Sequence, residues 1–220
     1  MDDIPAFSFT NPTAVLGPSD PVPIFPGSEQ FDFELEVGAV IGRAGHDINP
    51  NHGWDHIAGY TIYGDWSARG LQRHEMRLSL GPAKGKDGAN TIGPLFVTAD
   101  EIAVHRTGNG FHLRMNACVN GKLISEGWLD QMDWSFAEMV AYASRGAELR
   151  PGDVLGSGTV PTGCLYEHFA MGTEKFDRWL QAGDQVRLAV EHLVVAPGSS
   201  SGVVMLPVVG VRGGHACRSG

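Results

Sequence analysis

The feature that most constrains this chain is a pair of glutamates two residues apart in one stretch, Phe31-Asp32-Phe33-Glu34-Leu35-Glu36-Val37-Gly38-Ala39-Val40-Ile41-Gly42. The run is rich in β-branched and aromatic residues, holds no proline and stops at a glycine, so it reads as a β-strand. Residues at i and i+2 leave the same face of a strand, which puts Glu34 and Glu36 together and Phe33, Leu35 and Val37 on the other side. Their stems are then roughly 6.5–7 Å apart, and bare carboxylates that close repel by on the order of 2–3 kcal/mol at an effective dielectric of about 20. A hard divalent cation taking oxygen ligands would offset this. A solvated polar face of an antiparallel sheet, where screening removes most of the repulsion, is the commoner alternative. The strand alone leaves both open.

Beyond this strand, 220 residues suffice for one sizeable core. A formal net charge of -9, with no dense basic run, argues against a nucleic-acid partner and favours a small-molecule ligand. Cys118, Cys164 and Cys217 are an odd set without C-x-x-C spacing, which fits a reducing compartment and gives no zinc framework. Met1-Asp2-Asp3-Ile4 is acidic rather than signal-like, and Val203-Val204-Met205-Leu206 is cut short by Pro207. The expectation is a cytoplasmic protein with no membrane partner.

Prolines at 12, 18, 21, 23 and 26 make residues 1–30 an extended lead-in, with edge strands at best. A core over 31–190 follows, then a divergent segment, 191–220, that is either a tail or a last strand pair. Strands are predicted at Ile57–Gly64, Leu95–Thr98, Phe111–Val119, Lys122–Ser125, Val154–Thr159 and Gln185–Val195. Asn120-Gly121 is a hairpin signal, and Trp66 to Arg73 reads as a short helix. The clearest helix runs from Ser135 to about Arg145: Ser135 and Glu138 form a capping box, Phe136, Met139, Val140 and Ala143 one apolar stripe, and Gly146 a stop. Strands predominate and turns recur at short intervals, so the fold class is mainly β with a few helices, in a single domain.

Several residues could carry chemistry, each beside a plainer role. Asp65, where an apolar strand gives way to a helical turn, is either an N-cap or a third carboxylate for a site suited to Mg²⁺, Mn²⁺ or Ca²⁺. Lys86 lies in the loop Gly81-Pro82-Ala83-Lys84-Gly85-Lys86-Asp87-Gly88, which has the wrong length and an Asp where a phosphate loop needs Ser or Thr. It is either solvated or placed to hold an anionic oxygen. His46, His52 and His56 match no zinc spacing and read as surface residues. Glu167, after Gly156-Ser157-Gly158-Thr159 and Gly163-Cys164, reads locally as an exposed loop acid. No G-x-S-x-G is present, so a serine-hydrolase elbow is excluded.

Together these pieces resemble the fumarylacetoacetate hydrolase family. The stretches that carry the resemblance are Phe33-Glu34-Leu35-Glu36-Val37, Gly64-Asp65-Trp66-Ser67-Ala68-Arg69, Leu71-Gln72-Arg73, Leu80 to Lys86, Gly93-Pro94, Pro151-Gly152-Asp153-Val154 and Gly156-Ser157-Gly158-Thr159 through Glu167, together with the Asn11-Pro12 and Gly17 to Pro23 lead-in. They run in order from about residue 8 to about 190. The resemblance implies the catalytic C-terminal domain of the family, a mixed β-sandwich roll, in a homodimer. It implies a divalent metal, Mg²⁺ or alternatively Ca²⁺ or Mn²⁺, on Glu34, Glu36 and Asp65. It further implies that Lys86 contacts the substrate or an oxyanion, that Gln72 and Thr159 line the site, and that Glu167 orients a histidine base. Family members with this motif take that histidine from a segment N-terminal to the matched stretches; here His168, His74 or a neighbouring subunit are the alternatives. Gly70 stands where the family usually has aspartate, and no closing family strand is recognisable after Glu191.

The function so implied is metal-dependent hydrolysis of a C–C bond in a 1,3-dicarbonyl or acylpyruvate-type acid. One alternative is a tautomerase, decarboxylase or cyclising enzyme acting through a metal-bound enolate without a hydrolytic water. The other is a non-catalytic binding subunit.

Overall fold

The chain's structure, a computed structural model, describes residues 4–193 and 204–210; Cys217, the first three residues and the Gly/Ser run after Ala196 lie outside them. Phe31–Ile41 forms one long strand, which we call the glutamate strand, and Ile57–Ala68 a second, the aspartate strand. The two pair antiparallel from Phe31 opposite Ala68 to Val40 opposite Gly59, with a bulge before Ile41. On the outer side of the aspartate strand, Asn90–Ile92 pairs with it and with the edge strand Val15–Leu16, while Val97–Thr98 pairs near its start. Val154–Gly156 flanks the glutamate strand, completing a six-stranded sheet.

A second, five-stranded sheet runs Lys122–Trp128, Arg114–Val119, Gln185–Val190, Val204–Val209, Val22–Pro23. Its Asn120-Gly121 hairpin has both turn residues at positive φ, 51° and 79°, as a two-residue turn matched to strand twist requires. Two parallel pairings, Val15–Leu16 with Asn90–Ile92 and Val22–Pro23 with Val204–Val209, make both sheets mixed. Phe33, Leu35 and Val37 are fully buried in the cluster that also holds Met115, Ala117, Val186, Leu188 and Val190. At Gly64 the two sheets approach closely, and a Cβ there would lie 3.1 Å from Leu188 Cδ1. The mainly β fold expected from the sequence is the fold observed.

Differences from the sequence reading trace to tertiary pairing. The aspartate strand runs on to Ala68 because Trp66, Ser67 and Ala68 find partners in Phe33, Asp32 and Phe31. Asp65 is therefore inside a strand and is no N-cap, and the helix begins later, at Arg69–Met76. The stretch around Glu167 is a helix, Leu165–Met171, rather than a loop. His112 and Leu113 interrupt the expected Phe111–Val119 strand, Lys122–Ser125 extends to Trp128, and Val154–Thr159 ends at Gly156. Gln185–Val195 ends at Val190, its last two residues lying outside the described ones. A last strand, Val204–Val209, exists and joins Gln185–Val190 to the lead-in.

The Ser135 capping box forms as read, Ser135 Oγ accepting the Glu138 N–H at 3.2 Å and Glu138 Oε2 the Ser135 N–H at 2.8 Å. Its helix, Phe136–Ala143, presses on Gly53, where a Cβ would lie 2.5 Å from Ala137 Cα. Neither backbone can yield cheaply. Gly53→Ala should therefore destabilise by about 1–3 kcal/mol or more, and Ser135→Ala by about 1 kcal/mol. Urea denaturation checks the order; a larger loss at Ser135 would contradict the packing.

Candidate metal centre

Strand register brings the acids together. Glu34 stands directly opposite Asp65, and Glu36 opposite Tyr63, so all three carboxylates leave one face of two adjacent strands. One oxygen from each of Glu34, Glu36 and Asp65 lies within 4.8 Å of the others. The face is not a solvated one: Glu36 is only 5% exposed. It is covered by the chain following Val154–Gly156, where the Ser157 N–H bonds Val37 O at 2.9 Å and the Val160 N–H bonds Leu35 O at 3.1 Å. Gly158 gives its N–H to Glu36 Oε2 at 3.1 Å, and a Cβ on Gly156 would collide with that same oxygen.

Two cations answer the acids. Lys86 Nζ donates to Glu34 Oε2 at 2.7 Å and to Asp65 Oδ2 at 2.8 Å. Arg69 Nη1 donates to Glu34 Oε1 at 2.6 Å and to Gln72 Oε1 at 3.1 Å. Lys86 is buried, which corrects the solvated-loop reading. Its loop is pinned by Glu75 of the Arg69–Met76 helix, which accepts the N–H groups of Ala83, Lys84 and Gly85 at 2.8–3.1 Å. Gly85 has no room for a side chain, since a Cβ would lie 2.7 Å from Gln72 N.

The other candidates are nearby or apart. Glu167 sits in the first turn of its helix and accepts the Cys164 thiol at 3.3 Å, while Cys164 bridges to Glu34 through the backbone. His168 is buried with Nδ1 on Thr173 Oγ1 at 2.9 Å, and His74 is exposed. Thr159 lines a cavity of about 240 Å³ with Trp128, Met132, Trp134 and Gly158. His46, His52 and His56 bond to Asp47, Asp55 and the Arg43 carbonyl, away from the acids. Asp32 and the partners of Arg69 escaped the sequence reading, although Asp32 shares the i, i+2 face of Glu34.

Burial raises the carboxyls, and each is then set by its neighbours. Against burial, Lys86 and Arg69 hold Glu34 down at about 2. Burial and the charges of Asp65 and Glu34 push Glu36 well above the usual range. Asp65 is raised to about 6, burial and Glu34 outweighing Lys86. Lys86 is raised despite burial, because Glu34 and Asp65 favour its charged form. The donor set fits a hard divalent cation: oxygen only, three convergent carboxylates, and two of them held back from ionising by burial and by the neighbouring carboxylates.

Asp65 goes from an ordinary 3.8 to about 6, so in metal-free protein its contribution to stability falls as pH rises between those values. A cation must displace the protons on Asp65 and Glu36, so its affinity rises with pH. Mn²⁺ should bind at least about tenfold tighter at pH 7 than at pH 5, with proton release seen by calorimetry in buffers of different ionisation enthalpy. A flat profile would show that these carboxyls are not the ligands.

The chain matches the family model described as Fumarylacetoacetate (FAA) hydrolase C-terminal over residues 1–198. It is 33% identical over 181 residues to the mitochondrial oxaloacetate tautomerase fahd2 of Xenopus laevis, a match covering 82% of this chain and 53% of the relative. It superposes with a TM-score of 0.72 and 26% identity on fumarylpyruvate hydrolase from Pseudomonas aeruginosa in complex with Mn²⁺ and pyruvate, covering 91% of this chain and 76% of that one. A TM-score of 0.72 and 26% identity also relate it to a 5-carboxymethyl-2-hydroxymuconate delta-isomerase from Mycobacterium smegmatis, over 95% of this chain and 71% of that one. The chain spans 53% of the length of that tautomerase and 60% of a putative hydrolase from Burkholderia multivorans to which it is 33% identical. With the family model matching residues 1–198 and the fold agreeing over 91% of the chain, this chain belongs to the fumarylacetoacetate hydrolase family.

Proposed function

We propose that this protein enolises a 1,3-dicarbonyl acid of the oxaloacetate or acylpyruvate type at Glu34, Glu36 and Asp65, using Mg²⁺ or Mn²⁺. The observation that carries the reading is the convergence of three carboxylate oxygens within 4.8 Å beside a buried lysine. A divalent ion there would supply Lewis-acid polarisation of the substrate's adjacent oxygens, lowering the cost of taking a proton from the carbon between the carbonyls. The chain's own groups do the rest. Lys86 presents Nζ–H to an oxygen that gains negative charge, Arg69, itself held by Gln72, holds the other side of Glu34, and the chain over Gly158 keeps bulk water off Glu36.

Tautomerisation needs only transfer of the carbon-bound proton to a base from solvent and return of a proton from solvent to oxygen, so the step balances without a further protein group. Hydrolysis of the C–C bond, the second reading, also needs an activated water, and the likeness to fumarylpyruvate hydrolase favours it. Tautomerisation is favoured by the likeness to oxaloacetate tautomerase and by the local bonds of Glu167, which pair it with Cys164 while His168 turns Nδ1 to Thr173. The same reading takes the protein as a cytoplasmic homodimer, with the exposed Tyr166 and Phe169 beside the site as the apolar surface a second copy would cover. No helix among the described residues is long and apolar enough to cross a membrane.

Purified protein loaded with Mg²⁺ or Mn²⁺ should speed loss of the enol absorbance of oxaloacetate and acylpyruvates. Unchanged composition marks tautomerisation, and two acids mark hydrolysis. Glu36→Ala should abolish the metal dependence. Lys86→Met should lower kcat about 10²–10³-fold, as loss of one positioned donor does, without weakening Mn²⁺ binding, since it removes a competing cation. Full wild-type activity in EDTA, or unchanged kcat in Lys86→Met, would refute the assignment.

A further inference from the structure

Asp32 is the third acid on the face that carries Glu34 and Glu36, yet it is spent differently. It is fully buried. Its Oδ1 accepts the N–H groups of Phe33 and Leu165, both at 2.8 Å. Its Oδ2 accepts Arg69 Nε at 2.8 Å and the Tyr166 N–H at 3.0 Å. With two donors on each oxygen, the carboxylate has no lone pair left for a cation. The bonds instead join three separate segments: the glutamate strand, the first residues of the Leu165–Met171 helix, and the guanidinium that reaches Glu34.

The guanidinium is planar, so fixing Nε on Asp32 and Nη1 on Glu34 fixes the third nitrogen as well. That nitrogen, Nη2, is buried and without a hydrogen-bond partner among the described residues. The Tyr166 ring lies over the guanidinium, 5.4 Å from Arg69 Cζ, and Asp32 holds the backbone of that same tyrosine. One carboxylate thus sets the plane of Arg69, the ring above it and the start of the helix carrying Glu167.

We propose that Asp32 is the positioning residue of this site, holding Arg69 to a single contact with Glu34 and locking the Glu167 helix to the glutamate strand. The proposal rests on the reading of Glu34, Glu36 and Asp65 as a metal centre. Freed from Asp32, Arg69 can turn its whole fork on Glu34 and compete with a cation for that carboxylate. Asn at position 32 does this with little change of shape, because its amide N–H₂ faces donors at one of the two oxygen positions.

The test is a double-mutant cycle on Mn²⁺ affinity, read by calorimetry on folded protein, with Asp32→Asn and Arg69→Met. Asp32→Asn is expected to weaken Mn²⁺ binding at least fivefold when Arg69 is present and less than twofold in the Arg69→Met background. In the Arg69-containing protein it should also lower kcat at least tenfold with KM within threefold. An equal effect in both backgrounds overturns the coupling. A lowered Tm with wild-type Mn²⁺ affinity and kcat reduces Asp32 to a structural residue and overturns the proposal. Should Asp32→Asn not fold, Asp32→Glu, which keeps the charge and displaces it by one methylene, is read against the same thresholds; wild-type values there overturn it too. Wild-type protein that binds Mn²⁺ but converts no dicarbonyl acid removes the enzymatic reading and leaves the cycle readable, whereas wild-type protein that binds no Mn²⁺ overturns both.

Discussion

Glu34 and Asp65 face each other across two antiparallel strands, and Glu36 follows on the same side. Like charges directly opposite each other destabilise a sheet. With ligand oxygens within 4.8 Å, each ionised pair costs on the order of 3 kcal/mol at an effective dielectric of about 20. Much of the surrounding chain makes sense as an answer to that cost. The Arg69–Met76 helix delivers Arg69 at its first residue and Glu75 near its last, and Glu75 anchors the loop that delivers Lys86. Gly85 lets that loop lie directly on the helix, and Gly156 leaves Glu36 room on the other side. Removing the glycines would not remove a charge. It would move the chain that carries one.

The part of this arrangement that local spacing encodes was legible in the sequence. Two glutamates at i and i+2 in an apolar run dictate a shared face whatever the fold, and the Ser135 capping box and Asn120-Gly121 turn form as their residue types require. The role of Asp65 was not local. Whether it caps a helix or faces Glu34 depends on strand register, and register is fixed by a partner strand 24 or more residues away in the chain, through pairs such as Phe33 with Trp66. Motif resemblance supplied the answer that periodicity could not.

Lys86 and the Glu167 helix escaped local reading for different reasons. A lysine among glycines is ordinarily solvated, and nothing in its own loop announces that two carboxylates will desolvate and hold it. The Leu165–Met171 helix has Cys164 at its N-cap and no side-chain capping bond of its own. Its first free N–H groups are satisfied instead by Asp32, more than a hundred residues earlier. A helix capped from another strand leaves no start signal in its own sequence.

The charges around the centre make a sum that bears on what it binds. Asp32 and Arg69 offset one another as a buried pair. Lys86 then stands alone against Glu34, Glu36 and Asp65, leaving two negative charges if all three acids ionise. Metal-free protein meets that deficit with protons: of the three converging acids, Glu36 and Asp65 have raised pKa values and are the ones that take them up. A divalent cation carries the charge of those two protons and finds its oxygens already gathered. The site therefore has a low-pH protonated form and a higher-pH form suited to a doubly charged ion, and the exchange between them leaves the buried charge nearly constant.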